Sequence, residues 1–93
     1  MAILARMVKE LPFQGVHLDF AQRVLDSFER QGLMKHLGSR IAQLQPGRVE
    51  IRVAHRAELT QQHNYFHAGV SGAIADSACG YAAYTLLPAI LLS

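Results

Sequence analysis

From Ala68 to Leu87 this 93-residue chain carries a single charge, Asp76. Ala73, Ile74, Ala75, Ala78, Cys79, Ala82 and Ala83 give the stretch high helix propensity and put apolar side chains on nearly every side of the helix it predicts. A helix that is apolar all round has to be covered, and a sheet wrapped around it is the simplest cover. Gly69, Gly72 and Gly80 each lower helix propensity by roughly 1 kcal/mol relative to alanine, which predicts that a strand approaches the helix closely. The stretch from Ser77 to Ser93 lacks any charge but is slightly short of a membrane span and carries Tyr81, Tyr84, Thr85 and Pro88. A buried central helix over 68–87 is expected, with no membrane partner.

The remaining elements follow from changes of period. Arg48-Val-Glu-Ile-Arg-Val53 alternates strictly, Ile41 and Leu44 precede it, and Pro46-Gly47 is a turn signal, so 40–55 reads as paired strands with one wet face. Upstream, Asp19-Phe-Ala-Gln22 has the spacing of a capping box, and Phe20, Ala21, Val24, Leu25 and Phe28 form an apolar stripe. An amphipathic helix over 19–37 is expected, with Gly32 as a first stop. Residues 1–17, broken by Pro12 and Gly15, read as a lead-in arm. The expectation is one α+β domain over 1–93, too short for two cores.

Composition excludes several classes of function. With 51% hydrophobic and 17% charged residues the chain is outside the disordered regime. The net charge of +2 is spread along the chain without a basic cluster, so no nucleic-acid partner is expected. Cys79, the single cysteine, cannot form an internal disulfide and reads as a buried, inert thiol. The apolar run before Arg6 is too short for a secretory signal, which makes a cytoplasmic location the expectation. His63 and His67 are four apart but lack a third ligand, so no metal is expected. Ser71 lacks nucleophile-elbow spacing. Arg40, Arg48 and Arg52 read as a solvated strand face with some reach toward phosphates.

Two features carry possible chemistry. A carboxylate left unpaired in an apolar setting costs on the order of several kcal/mol, so Asp76 either accepts hydrogen bonds from hydroxyls such as those of Tyr81 or Thr85, or faces a cleft as base or nucleophile. The second is the helix start at His63-Asn-Tyr-Phe-His-Ala-Gly69, where unpaired backbone N–H groups and the dipole favour a developing oxyanion. His67 and Asp76 lie nine residues apart, on opposite faces and about 13 Å apart along the axis. Two antiparallel chains would bring the helix start of one beside the Asp76 of the other, which puts the site at a dimer interface.

The run His67-Ala-Gly69, followed by Ala75-Asp76-Ser77-Ala78 and Gly80-Tyr-Ala-Ala83, resembles the central helix of hotdog-fold acyl-CoA thioesterases of the phenylacetate-degradation type. The order of helix, paired strands and Gln/Asn-containing loop matches as well, so the resemblance covers roughly Leu18 to Leu87. It implies a hotdog fold, in which an antiparallel sheet wraps the central helix. It also implies that Ala68 donates its N–H to the thioester carbonyl after the motif His67. Asp76 of the opposing subunit then serves as base or nucleophile. Gln61, six residues before the motif histidine, helps orient loop or substrate, and Asn64 and Gly69 are further substrate-binding positions. Ala68 stands where the family has its first glycine, which a backbone donor tolerates in a tighter space. A hotdog subunit continues with three further strands where this sequence has Pro88-Ala-Ile-Leu-Leu-Ser93, so an incomplete C-terminal sheet is expected.

The function implied is hydrolysis of a small aromatic or medium-chain acyl-CoA. Coenzyme A enters as part of the substrate, no cofactor is needed, and the assembly is a homodimer or homotetramer. The alternatives are a non-catalytic acyl-CoA-binding or dimerisation module and an acyl-thioester hydratase or dehydratase. Hydratases of this fold typically keep histidine and carboxylate in one short motif, and the nine-residue spacing here favours hydrolysis. With only 40–55 supplying strands, other copies of the chain are expected to cover the rest of the central helix, and an isolated monomer should be molten.

Overall fold

A computed structural model describes residues 1–6 and 20–87. The order of elements is β1 (Ala2–Arg6), α1 (Phe20–Glu29), α2 (Gly32–Leu37), β2 (Arg40–Gln45), β3 (Arg48–Arg52) and α3 (Ala68–Tyr84), with a short 3-10 turn at Ala57–Leu59. Asp19 of the capping box, Pro12, Gly15 and 88–93 lie outside the described residues.

β2 and β3 form an antiparallel hairpin across Pro46-Gly47, with Gln45 opposite Arg48. Proline presets φ at the first turn position, and Gly47 takes φ 74° at the second, a conformation that costs a residue with a side chain far more. Ile41 and Leu44, three apart, would point to opposite faces of a regular strand. A bulge between Ile41 and Gln43 inserts one residue and returns both to the core side, opposite Ile51 and Val49. The alternating row Val49, Ile51 and Val53 is buried against α3, each residue contributing roughly 1.5–3 kcal/mol of apolar burial.

Five expectations are corrected. The lead-in arm contains a strand: β1 pairs antiparallel with β3, with Ile3 opposite Ile51 and Ala5 opposite Val49, so the sheet has three strands in the order β1-β3-β2. Ile3 and Ala5 face α3 while Leu4 points out, which adds core that the paired strands alone lack. The helix read over 19–37 is two helices, because the chain turns at Arg30–Gln31 and Gly32 opens the second helix. α2 ends at Gly38 with φ 68°, whose N–H bonds Lys35 O at 3.0 Å. The Arg56 guanidinium donates to the free carbonyls of His36 (2.6 Å) and Leu37 (3.1 Å), completing that end.

The central helix is not buried all round. Val70, Ile74, Ser77, Ala78, Tyr81 and Ala82 recur at helical spacing and are buried, whereas Ala68, Gly69, Gly72, Asp76, Cys79 and Gly80 are exposed. Cys79 is thus an exposed thiol, because it falls on the face the sheet does not reach. Nor do the glycines admit a strand among the described residues, where a Cβ at Gly72 or Gly80 would meet nothing within 4 Å. The C-terminal turn of α3 is fastened to the hairpin by Thr85, which is buried. Its hydroxyl accepts from Gly47 N–H at 2.7 Å and donates to Ala82 O at 2.8 Å.

Candidate functional site

The segment 59–67 delivers the chain to the start of α3 as a closed loop. Thr60 and Phe66 form an isolated bridge, Gln61 N–H bonds Tyr65 O at 2.8 Å, and His67 N–H bonds Leu59 O at 2.9 Å. Inside it, Gln61 Oε1 accepts the His63 N–H, so this side chain organises the loop. Asn64 takes φ 69°, a left-handed conformation that asparagine tolerates, and its carbonyl meets His55 Nε2 at 3.2 Å.

His67 is the N-cap of α3, and its Nδ1 accepts the Gly69 N–H at 2.8 Å. An acceptor at Nδ1 puts the neutral ring's proton on Nε2. The same contact explains the glycine, since a Cβ at 69 would lie 3.0 Å from that Nδ1. With Gly69 spoken for and Val70 N–H bonded to His67 O at 2.9 Å, the Ala68 N–H at the first helical position has no acceptor among the described residues. It is an exposed donor at the positive end of the 17-residue α3. Beside it lies a groove of about 340 Å³, walled by Leu33, Leu37, Leu59, Val70 and Ala73, with His36 and Glu58 at its rim.

Asp76 is exposed and has no hydrogen-bond or ion-pair partner among the described residues, so it does not bond Tyr81 or Thr85. Those hydroxyls are committed elsewhere, Thr85 as above and Tyr81 to Ser27 and Gln31. Asp76 opens onto a second groove, of about 330 Å³, with Ser27, Gln31, Ser77, Gly80, Tyr81 and Tyr84. Ala68 and Asp76, eight residues apart on one straight helix, are separated by about 12 Å along the axis, so one chain does not bring them to the same atom.

Ser27, Gln31 and Ser77 were not singled out by sequence reasoning. Their signal was present as two polar pairs at helical i, i+4 spacing, Ser27/Gln31 on α1 and its exit and Ser77/Tyr81 on α3. Among the described residues no group of three His, Cys, Asp or Glu side chains is arranged to hold a metal ion. No described helix is long and apolar enough to cross a membrane.

No protein-family model and no curated protein matches the chain. Among solved structures, the crystal structure of a thioesterase family protein from Silicibacter pomeroyi is similar, with 52% sequence identity and a TM-score of 0.72 over 74% of this chain. The match covers 51% of that protein, so this chain spans about half its length. Over that half the chain has an incomplete hotdog fold, an antiparallel sheet packed on a central helix, similar to that of the thioesterase family protein.

Proposed function

We propose that the chain is an acyl-CoA thioesterase of the phenylacetate-degradation type, working as a two-fold dimer in the cytoplasm. The observation that carries this reading is the unpaired Ala68 N–H, left free because the His67 ring occupies its neighbour. The amide receives the thioester carbonyl oxygen and stabilises the oxyanion as the tetrahedral intermediate forms. Asp76 of the facing copy, without a partner among the described residues, takes a proton from the attacking water, or attacks the carbonyl carbon itself to form an acyl-aspartate anhydride that water then hydrolyses; by either route the coenzyme A thiolate leaves. His67 holds the amide in place through its cap, with Gln61 and Asn64 shaping the loop behind it. The groove beside Ala68 lodges one arm of the substrate and the groove beside Asp76 of the facing copy the other. The 52% identity to a thioesterase family protein supports the assignment.

Complementation between subunits tests it. Ala68→Pro deletes the N–H at a position where helices accept proline, and His67, at φ −62° and ψ 139°, already has the extended backbone that a following proline demands. Asp76→Asn deletes the carboxylate. Each variant alone should lose about 10²–10³-fold in thiol release from an acyl-CoA, while mixing the two should restore activity toward about a quarter of wild type, because half the dimers are mixed and one site in each is intact. Unchanged turnover in Asp76→Asn refutes the reading, and tight binding without thiol release in the wild type would favour the non-catalytic module.

A further inference from the structure

The side of the sheet turned away from α3 is rich in arginine. The strand register sets its outward side chains in three rows: Arg6, Arg48 and Gln45; Leu4, Glu50 and Gln43; Ala2, Arg52 and Arg40. The one carboxylate in these rows, Glu50, is taken by Arg52 Nε at 2.8 Å. Like charges directly opposite one another destabilise a strand pair, and this face holds two such pairs, Arg6 with Arg48 and Arg52 with Arg40. Arg6, Arg40 and Arg48 have no carboxylate partner among the described residues. In the middle row Leu4 is 45% exposed. An exposed apolar side chain among guanidinium groups suits a protein partner, because arginine and apolar anchors together carry interface energy, and the charge of the face selects an acidic one.

The same chain carries the complementary surface on α1. Gln22, Leu25, Asp26 and Glu29 recur at helical spacing and are all exposed, Leu25 by 42%. Gln22 Nε2 donates to Asp26 Oδ1 at 2.8 Å, and Glu29 has no partner among the described residues. The cation within α1, Arg23, turns inward over the Tyr84 ring at 5.6 Å and leaves this stripe acidic. The spacings agree. Residues three apart on a helix have Cβ atoms about 5–6 Å apart, and residues directly opposite on antiparallel strands about 4.5–5.5 Å, so Asp26 and Glu29 can meet Arg6 and Arg48 as a pair. Leu25 lies about 6 Å along the helix from Glu29, and Leu4 about 6.7 Å along the strand from Arg6, so the same placement sets one leucine on the other. Within its own chain α1 packs on α3 and β2, on the α3 side of the sheet, so it reaches the outer face only of another copy.

We propose that the outer face of the sheet is a docking surface for α1 of a second copy of this chain, with Leu25 seated on Leu4 and the Asp26 and Glu29 carboxylates paired with the Arg6 and Arg48 guanidinium groups. The contact joins unlike patches: each copy offers one sheet face and one α1, so it adds copies beyond those that pair through α3. It goes beyond the thioesterase reading and does not depend on it.

The test is sedimentation velocity on the whole chain from about 10 to 300 µM, at about 0.05 and 0.5 M salt. A sheet variant, Arg6→Glu with Arg48→Glu, and a helix variant, Asp26→Arg with Glu29→Arg, are compared with the wild type, and far-ultraviolet circular dichroism checks the fold. Pairing through α3 is common to all three, so the differences report the sheet–α1 contact alone. The wild type should form larger species that recede at the higher salt, and each variant should associate at least about tenfold more weakly. An equimolar mixture of the two variants should regain association, because the reversed sheet of one meets the reversed helix of the other. Should the sheet variant fail to fold, the helix variant and Leu25→Lys, both confined to exposed positions of α1, read the same contact. A wild type no larger than the helix variant would overturn the proposal. Loss in both variants without recovery in the mixture would overturn α1 as the occupant, and so would a wild type that binds a DNA duplex through this face without associating with itself.

Discussion

Replacing Gly72 and Gly80 of α3 by alanine asks what lies against the open face of the central helix. Both sit inside the helix, and a Cβ at either would meet no atom of the described residues within 4 Å. Within a single chain the substitutions therefore add only helix propensity, about 0.8–1.0 kcal/mol each and about 2 kcal/mol together. For a chain of this size 1 kcal/mol corresponds to roughly 4–8 °C in Tm, so the double variant should unfold about 8–16 °C higher when dilute. If a facing copy packs on this side, the added methyl groups occupy the space of closest approach and weaken association. The dimer's own gain in Tm with concentration should then shrink in the variant. Thermal unfolding followed by circular dichroism at about 1 µM and about 200 µM reads both terms. A variant less stable at the lower concentration would show that the face is already covered within the chain. Equal stabilisation at both concentrations would show that no second copy uses it.

Two further substitutions probe the contacts that hold the site. Thr85→Val keeps the side-chain shape but orphans Gly47 N–H in a buried setting, and should cost about 1–3 kcal/mol, read as a drop in the denaturation midpoint; a loss below about 0.5 kcal/mol would mean the clasp is not needed. Gly69→Ala forces the His67 ring off a Cβ only 3.0 Å from Nδ1, so a lost cap of about 1 kcal/mol and a propensity gain of similar size should leave Tm nearly unchanged. Thiol release should nevertheless fall about tenfold as the ring shifts beside the Ala68 amide, visible in the ¹⁵N shift of Nδ1; a shifted ring with full turnover would remove Ala68 as the donor.

What could be read in advance was set by how local each feature is. The β2–β3 hairpin announced itself through Pro46-Gly47 and the row Val49, Ile51, Val53, since turn chemistry and period are properties of adjacent residues. β1 did not, because Ala2-Ile-Leu-Ala-Arg6 is short and lacks alternation, and its partner β3 is far along the chain. Composition also misjudged α3. Alanine and glycine count as apolar in any sum, yet Gly69, Gly72 and Gly80 face outward beside Asp76 and Cys79, so a helix with a single charge has an open side. The proposed pairing of the Ala68 amide with an Asp76 from a second copy came from spacing and resemblance, and the fold adds that neither group has a partner among the described residues. The Gln31–Tyr81 bond was not, because it joins α3 to the short break after α1, and only the fold brings them together.

The position of β1 also bears on how the chain assembles during synthesis. Leu4 is made early but pairs across from Glu50, so the first strand waits until β3 has been made. At about 5–20 residues per second that wait lasts roughly 2–10 s. β2 and β3, joined by a two-residue turn, can pair within microseconds of emerging. The hairpin then serves as a template whose β3 edge takes the older strand, in reverse order of synthesis. A ribosome pause between Arg40 and Arg52 would lengthen the interval in which Ile3 and Leu4 remain without a partner, and it is there that a holding chaperone has most to protect.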